Sequence, residues 1–125
     1  MKKIIYCLGN EVVDIDSLPL KMMPYLSKKF PQINFLPFDP TESTETGNKM
    51  IFLDTVFGIK KIKLITDLKN LSLSPRNSVH DYDLPLYLGL MLKLKKIKEF
   101  TVIGLPVNYP LKKALKEVSP YIKDI

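Results

Sequence analysis

Lys3-Ile4-Ile5-Tyr6-Cys7-Leu8-Gly9-Asn10 is a short apolar run stopped by a glycine and an asparagine. It shows no alternation of apolar and polar residues. That pattern fits a strand buried on both faces, as in a parallel sheet covered by helices. Lys2 precedes the run and Lys3 opens it, as basic residues open a secretion signal, but its apolar stretch is too brief for one. A first buried strand and a cytoplasmic protein are therefore expected.

The elements that follow support the same architecture. Leu18, Met22, Met23, Leu26 and Phe30 recur at helical spacing, with Ser17 as N-cap and Pro19 in the first turn. Pro24 falls inside that stretch and predicts an irregular or broken helix. Residues 33–38 read as a second strand, residues 39–48 as a polar loop, and residues 49–53 as a third strand with Asp54 at its carboxyl end. Residues 61–66 set Ile62 and Leu64 against Lys61 and Lys63, with Ile65 on the polar side. An edge strand, antiparallel to its neighbour, fits that alternation. Residues 84–94 are apolar all round and read as a well-buried helix. Residues 100–105 form the last strand, and residues 111–122 close the chain as an amphipathic helix. Strands and helices alternate. The expected fold is a three-layer α/β/α sandwich on a mostly parallel sheet of about five strands, one of them an antiparallel edge. With 125 residues and no linker or repeat, residues 1–125 read as one domain.

Composition narrows the function. Hydrophobic residues make up 46% and charged residues 26%, values that suit a packed globular core. No apolar run is long enough to insert into a membrane. The single cysteine, Cys7, lies in the first strand and excludes both an internal disulfide and zinc-finger spacing. The net charge of +6 raises the question of nucleic acid, but the lysines are scattered as pairs and Arg76 is the only arginine. No recognition-helix or aromatic-basic motif accompanies them, so these pairs read as solvated faces and no nucleic-acid partner is expected. The turn after the first strand, Gly9-Asn10-Glu11-Val12-Val13-Asp14, lacks a glycine fingerprint for a dinucleotide or a P-loop lysine. No nucleophile elbow is present.

Open α/β sheets bind ligands beyond the carboxyl ends of their strands. Acidic residues gather there: Asp14 and Asp16 after the first strand, Asp39 and Glu42 after the second, and Asp54 after the third. His80, the only histidine, stands in the polar segment Asn77-Ser78-Val79-His80-Asp81 at a loop-to-helix junction. The bland reading makes it a surface cap. If Asp16, Asp54 and His80 converge, they offer two oxygens and one nitrogen to a divalent transition metal. Asp14 and Asp16 alternate and read either as an acid–base pair or as a solvated loop.

Four stretches carry a family resemblance. They are Ile4 to Asn10 followed by Asp14-Ile15-Asp16; Ile51-Phe52-Leu53-Asp54; Ser78-Val79-His80-Asp81-Tyr82-Asp83-Leu84; and Val102-Ile103-Gly104-Leu105-Pro106. In this order the chain resembles the hydrogenase maturation endopeptidases, which trim the carboxyl-terminal extension of the nickel-containing hydrogenase large subunit. The resemblance implies Asp16, Asp54 and His80 as metal-contacting residues and a large-subunit precursor as partner. It also implies that the ion is nickel carried by that substrate, with another divalent transition metal as the alternative. Asp16, Asp14 and Asp39 are then the candidate catalytic carboxylates. The chain departs from the family at Asp39-Pro40-Thr41-Glu42, which stands in place of a glycine-rich loop. It also departs at residues 39–48, a short polar stretch in place of a helix. A catalytically inactive metal- or partner-binding homologue of the same fold is the alternative reading.

Overall fold

The computed structural model describes residues 3–9, 17–39, 47–72 and 79–125, with the backbone alone for 72 and 79–83. In chain order the elements are β1 (Lys3–Cys7), α1 (Leu18–Lys29), β2 (Ile33–Pro37), β3 (Lys49–Thr55), β4 (Lys63–Ile65), α2 (Leu68–Ser72), α3 (Val79–Lys93), β5 (Glu99–Leu105) and α4 (Leu111–Asp124). The sheet runs β2-β1-β3-β5-β4. The β1–β2, β1–β3 and β3–β5 pairs are parallel, and β4 pairs antiparallel with β5 at the edge. The expected mostly parallel sheet with one antiparallel edge is what forms.

Alternate residues of the central strands feed two cores. Ile5 and Cys7 of β1, Ile51 and Leu53 of β3, and Ile103 and Leu105 of β5 pack under α1 and α4. Tyr6, Met50, Phe52, Phe100 and Val102 face the other way, toward α2 and α3. β1 is thus buried on both sides, as its unbroken apolar run implies.

Four local expectations are corrected. α1 runs unbroken through Pro24. That proline is exposed, so its missing N–H and its ring fall on the solvent side while Met22 and Leu26 stay wholly buried. Ser17 occupies the cap position, but its side chain makes no capping hydrogen bond there. In β4, Ile65 is buried and Leu64 is 40% exposed. The face that carries Ile65 is covered by Leu68 and Leu71, so it is not the solvated one. Finally, α3 is not buried all round: Leu84 and Leu88 are inside, whereas Leu86, Leu90 and Leu94 are 65%, 52% and 52% exposed.

Candidate functional site

The chain leaves β1 for β2 on one side, and β3 takes the other side, so the strand order reverses at β1. The crevice beyond the carboxyl ends of β1 and β3 is where this topology binds ligands. Gly9 lets the chain turn out of β1 with φ 148°, a value that disfavours any residue with a Cβ. Leu8 lies against β3 through its N–H, which donates to the Leu53 carbonyl at 3.0 Å.

Asp54 is the penultimate residue of β3 and is half-buried. The Thr55 N–H donates to Asp54 Oδ1 at 2.8 Å and holds the carboxylate in one orientation. In the strand alternation Asp54 follows Met50 and Phe52, so it belongs to the α3 side of the sheet. In register it lies beside Gly104 of β5. A Cβ on Gly104 would meet Val56 Cγ2 at 3.0 Å, so glycine is what lets the turn after β3 close over this rim.

Two residues back along β3 on the same face begins a cluster of aromatic rings. Phe52 stands 5.8 Å from Tyr6 and 5.2 Å from Phe38, and Phe38 stands 5.3 Å from Tyr87 of α3. The two Phe38 contacts are edge-on, a favoured geometry for aromatic pairs, and the Tyr6–Phe52 pair is tilted. The cluster forms an apolar floor beneath Asp54 and ties α3 to the carboxyl half of the sheet. Sequence reasoning missed this floor. The available signal was an aromatic residue near the end of each of three strand-like runs, Tyr6, Phe38 and Phe52.

α3 carries the chain back to β5: the N–H groups of Lys98 and Glu99 both donate to the Asn48 carbonyl at the amino edge, at 2.9 and 3.0 Å. The opposite end of the helix, where Val79 and His80 begin it, therefore lies at the carboxyl rim. Position 80 shares a helix stripe with Leu84, Tyr87 and Leu88, the residues that α3 buries against the sheet. His80 is thus the second residue of the helix, at the junction where the sequence reading put it. Its backbone and Asp54 belong to the same end and the same side of the sheet.

Asp39 follows Phe38, whose N–H donates to the Cys7 carbonyl at 2.9 Å, and is exposed. It reaches the same rim with β1 between it and Asp54, which sets the two backbones about 10 Å apart. Asp14 and Asp16 lie outside the described residues, as does the side chain of His80. Among the described residues no three His, Cys, Asp or Glu side chains come together as a metal site. No helix among them is long and apolar enough to cross a membrane.

The chain matches no protein-family profile and no curated protein. Solved structures do resemble it. The hydrogenase maturating endopeptidase HybD from E. coli superposes with a TM-score of 0.72 at 14% identity, over 99% of this chain and 93% of that one. The fold is that of the hydrogenase maturation endopeptidases. A hydrogenase 3 maturation protease matches at a TM-score of 0.65 and 15% identity, over 96% and 88% of the two chains. The endopeptidase HycI from Escherichia coli matches at 0.63 and 18%, over 99% and 90%. The resemblance drawn from four short stretches of sequence holds at the level of the fold.

Proposed function

We propose that this chain is an endopeptidase that removes the carboxyl-terminal extension of a nickel-containing hydrogenase large-subunit precursor. Asp16, Asp54 and His80 would contact the nickel that the substrate carries. The observation that carries this reading is the placement of Asp54: a fixed, half-buried carboxylate at the switch-point rim, on the side where α3 begins with His80. The shared fold with several hydrogenase maturation endopeptidases supports it.

The donor set suits the task. Two carboxylates and an imidazole fit a borderline divalent ion and leave positions for the substrate's own ligands; the set does not by itself choose nickel over another transition metal. When bound, the ion would supply charge stabilisation to the scissile carbonyl. The chain would supply the base. Asp14, Asp16 or Asp39 would take a proton from the attacking water and return it to the departing amine as the C–N bond breaks. The aromatic floor beneath Asp54 would limit the access of water from that side of the rim. The single cysteine, a buried thiol, suits a reducing compartment such as the cytoplasm.

The test is incubation with a nickel-loaded precursor, followed by mass spectrometry for loss of its tail. Asp16→Asn, Asp54→Asn and His80→Ala should each slow trimming by about 100-fold or more, since even groups that merely support a metal ligand are worth about 10–100-fold. Full trimming by all three variants would refute the proposal. The substitution of Pro40 and Glu42 for flexible glycines favours the second reading, a homologue that binds without cleaving. Wild-type protein that holds the precursor and leaves its tail intact would establish it.

A further inference from the structure

The other side of the sheet carries a basic groove. It lies between α4 and the turn leading into β4, and its cavity is about 680 Å³, within the size range of ligand-binding pockets. Lys60, Lys61, Lys113 and Lys116 line it together with Tyr109 and Glu117. The fold accounts for this convergence. α4 turns Ala114, Val118 and Ile122 into the core, which leaves Lys113 and Lys116 on its flank. The Ile62 side chain anchors the turn beside them and brings Lys60 and Lys61 alongside. Among the described residues Lys60, Lys61 and Lys116 have no ion-pair partner.

The groove's one carboxylate is already engaged: Glu117 accepts a hydrogen bond from the Tyr109 hydroxyl. Lys113 sits over the Tyr109 ring, its Nζ 5.0 Å from the centroid. The Tyr109 face is thereby covered, so it offers no platform for stacking a base. The four lysines line one cavity and not an extended track along which a phosphate backbone could run. Their ammonium groups are carried on long, exposed side chains, which a single small anion would have to order for itself. Several carboxylates spaced along a peptide meet this geometry best.

The turn that lines the groove leads into β4 at the rim. Lys63 of β4, Gly104 of β5 and Asp54 of β3 are successive partners across the sheet, so Lys63 lies roughly 10 Å from Asp54, and Lys61 and Lys60 of the groove precede it by two and three residues. We propose that the groove receives an acidic stretch of the polypeptide processed at the rim, with Lys60, Lys61, Lys113 and Lys116 pairing its carboxylates. This rests on the reading of the rim as a processing site.

The direct probe is a fluorescein-labelled hexaglutamate peptide followed by anisotropy. It should bind, and binding should weaken as salt rises from about 50 to about 300 mM, because exposed pairs are screened. Lys60→Glu/Lys61→Glu and Lys113→Glu/Lys116→Glu should each weaken it by about tenfold. Circular dichroism should stay unchanged, since all four side chains are exposed. Absence of peptide binding, or binding by both variants as tight as by the wild type, overturns the proposal. Tighter binding of a single-stranded RNA of the same length overturns the choice of partner.

With the nickel-loaded precursor, Lys60→Glu/Lys61→Glu should raise KM and leave kcat within about twofold, the mark of lost uniform binding. Asp54→Asn should do the reverse, losing kcat while keeping the hexaglutamate complex. Full trimming by Asp54→Asn would refute the rim reading and leave the groove to stand or fall on the peptide. An unchanged KM in the lysine variant would refute the groove with the rim intact.

Discussion

Cys7 shows how placement alone sets the chemistry of a side chain. It is the last residue of β1, wholly buried between the sheet and α1, and desolvation pushes its thiol up to about 12. The thiolate is the reactive form, so native Cys7 should resist a thiol reagent at pH 8 and react promptly in denaturant. Rapid labelling of the folded protein would contradict the packing. The same shift sets a pH dependence. Between the ordinary thiol pKa of 9.0 and the folded value of about 12, the unfolded chain has lost this proton and the folded chain has kept it. This contribution to stability is complete below pH 9 and fades as pH rises toward 12, with a slope approaching about 1.4 kcal/mol per pH unit. Tyr109 is also raised to about 12, chiefly by its hydrogen bond to Glu117, and so acts in the same direction above pH 10. Urea midpoints should therefore fall steeply from pH 9 to pH 11 in the wild type, and less steeply in Cys7→Ala. Gly104 is the residue-scale counterpart at the rim. A methyl there would lie 3.0 Å from Val56 Cγ2 and 3.4 Å from both Ile59 Cδ1 and the Lys63 carbonyl. Gly104→Ala should cost about 1–3 kcal/mol by overpacking, read as a lower urea midpoint at constant slope.

At the scale of elements, apolar runs spoke for the strands and polar residues hid the helix starts. β1, β3 and β5 were legible because strands buried on both faces carry few polar residues to confuse the pattern, Thr101 being the one inside β5. Asp54 was legible for the same reason, as a charge that closes such a run. α2 passed unseen because five residues are too few to show a period. Its one signal was Asp67, whose Oδ1 accepts the Lys69 N–H at 2.9 Å, just ahead of Leu68 and Leu71. α3 was read as starting at Leu84 because Val79 to Asp83 is polar, yet polar residues are ordinary in a first helical turn. That boundary put His80 just ahead of the helix, at the junction, when it belongs to the first turn. α1 offers the opposite lesson, a helix that persists through a residue expected to break it. Pro24 removes the N–H that would reach the Leu20 carbonyl, in a helix held by wholly buried Met22 and Leu26. Pro24→Ala should restore that bond. An interior proline costs about 3 kcal/mol, and the freer unfolded chain takes back about 1 kcal/mol. A net gain of about 2 kcal/mol is expected in urea denaturation. A loss would mean that α1 is bent at Pro24 to fit the sheet.

For the whole molecule the decisive fact is that two cores share the same strands. Leu53 and Phe52 are neighbours on β3, both wholly buried, and they belong to opposite cores. Neither core can come apart without exposing the back of the strand that the other uses. The rim inherits this coupling. Asp54 continues the α3-side stripe of β3, while the basic groove is bounded by α4 on the opposite side. Residues on the two faces are thus held at a fixed separation by the sheet between them. Unfolding should accordingly be a single cooperative transition. The helical signal, to which both faces contribute, and the near-ultraviolet tyrosine signal, to which Tyr6 and Tyr87 of the α3-side core contribute, should fall together in urea. Leu53→Ala should cost about 2–5 kcal/mol and Phe52→Ala about 3–5 kcal/mol, through lost burial and the cavity left behind. Although they damage opposite cores, each should shift both signals by the same amount. If Phe52→Ala lowered the tyrosine midpoint and left the helical one in place, the two faces would be separable. The sheet could not then be the rigid spacer between rim and groove.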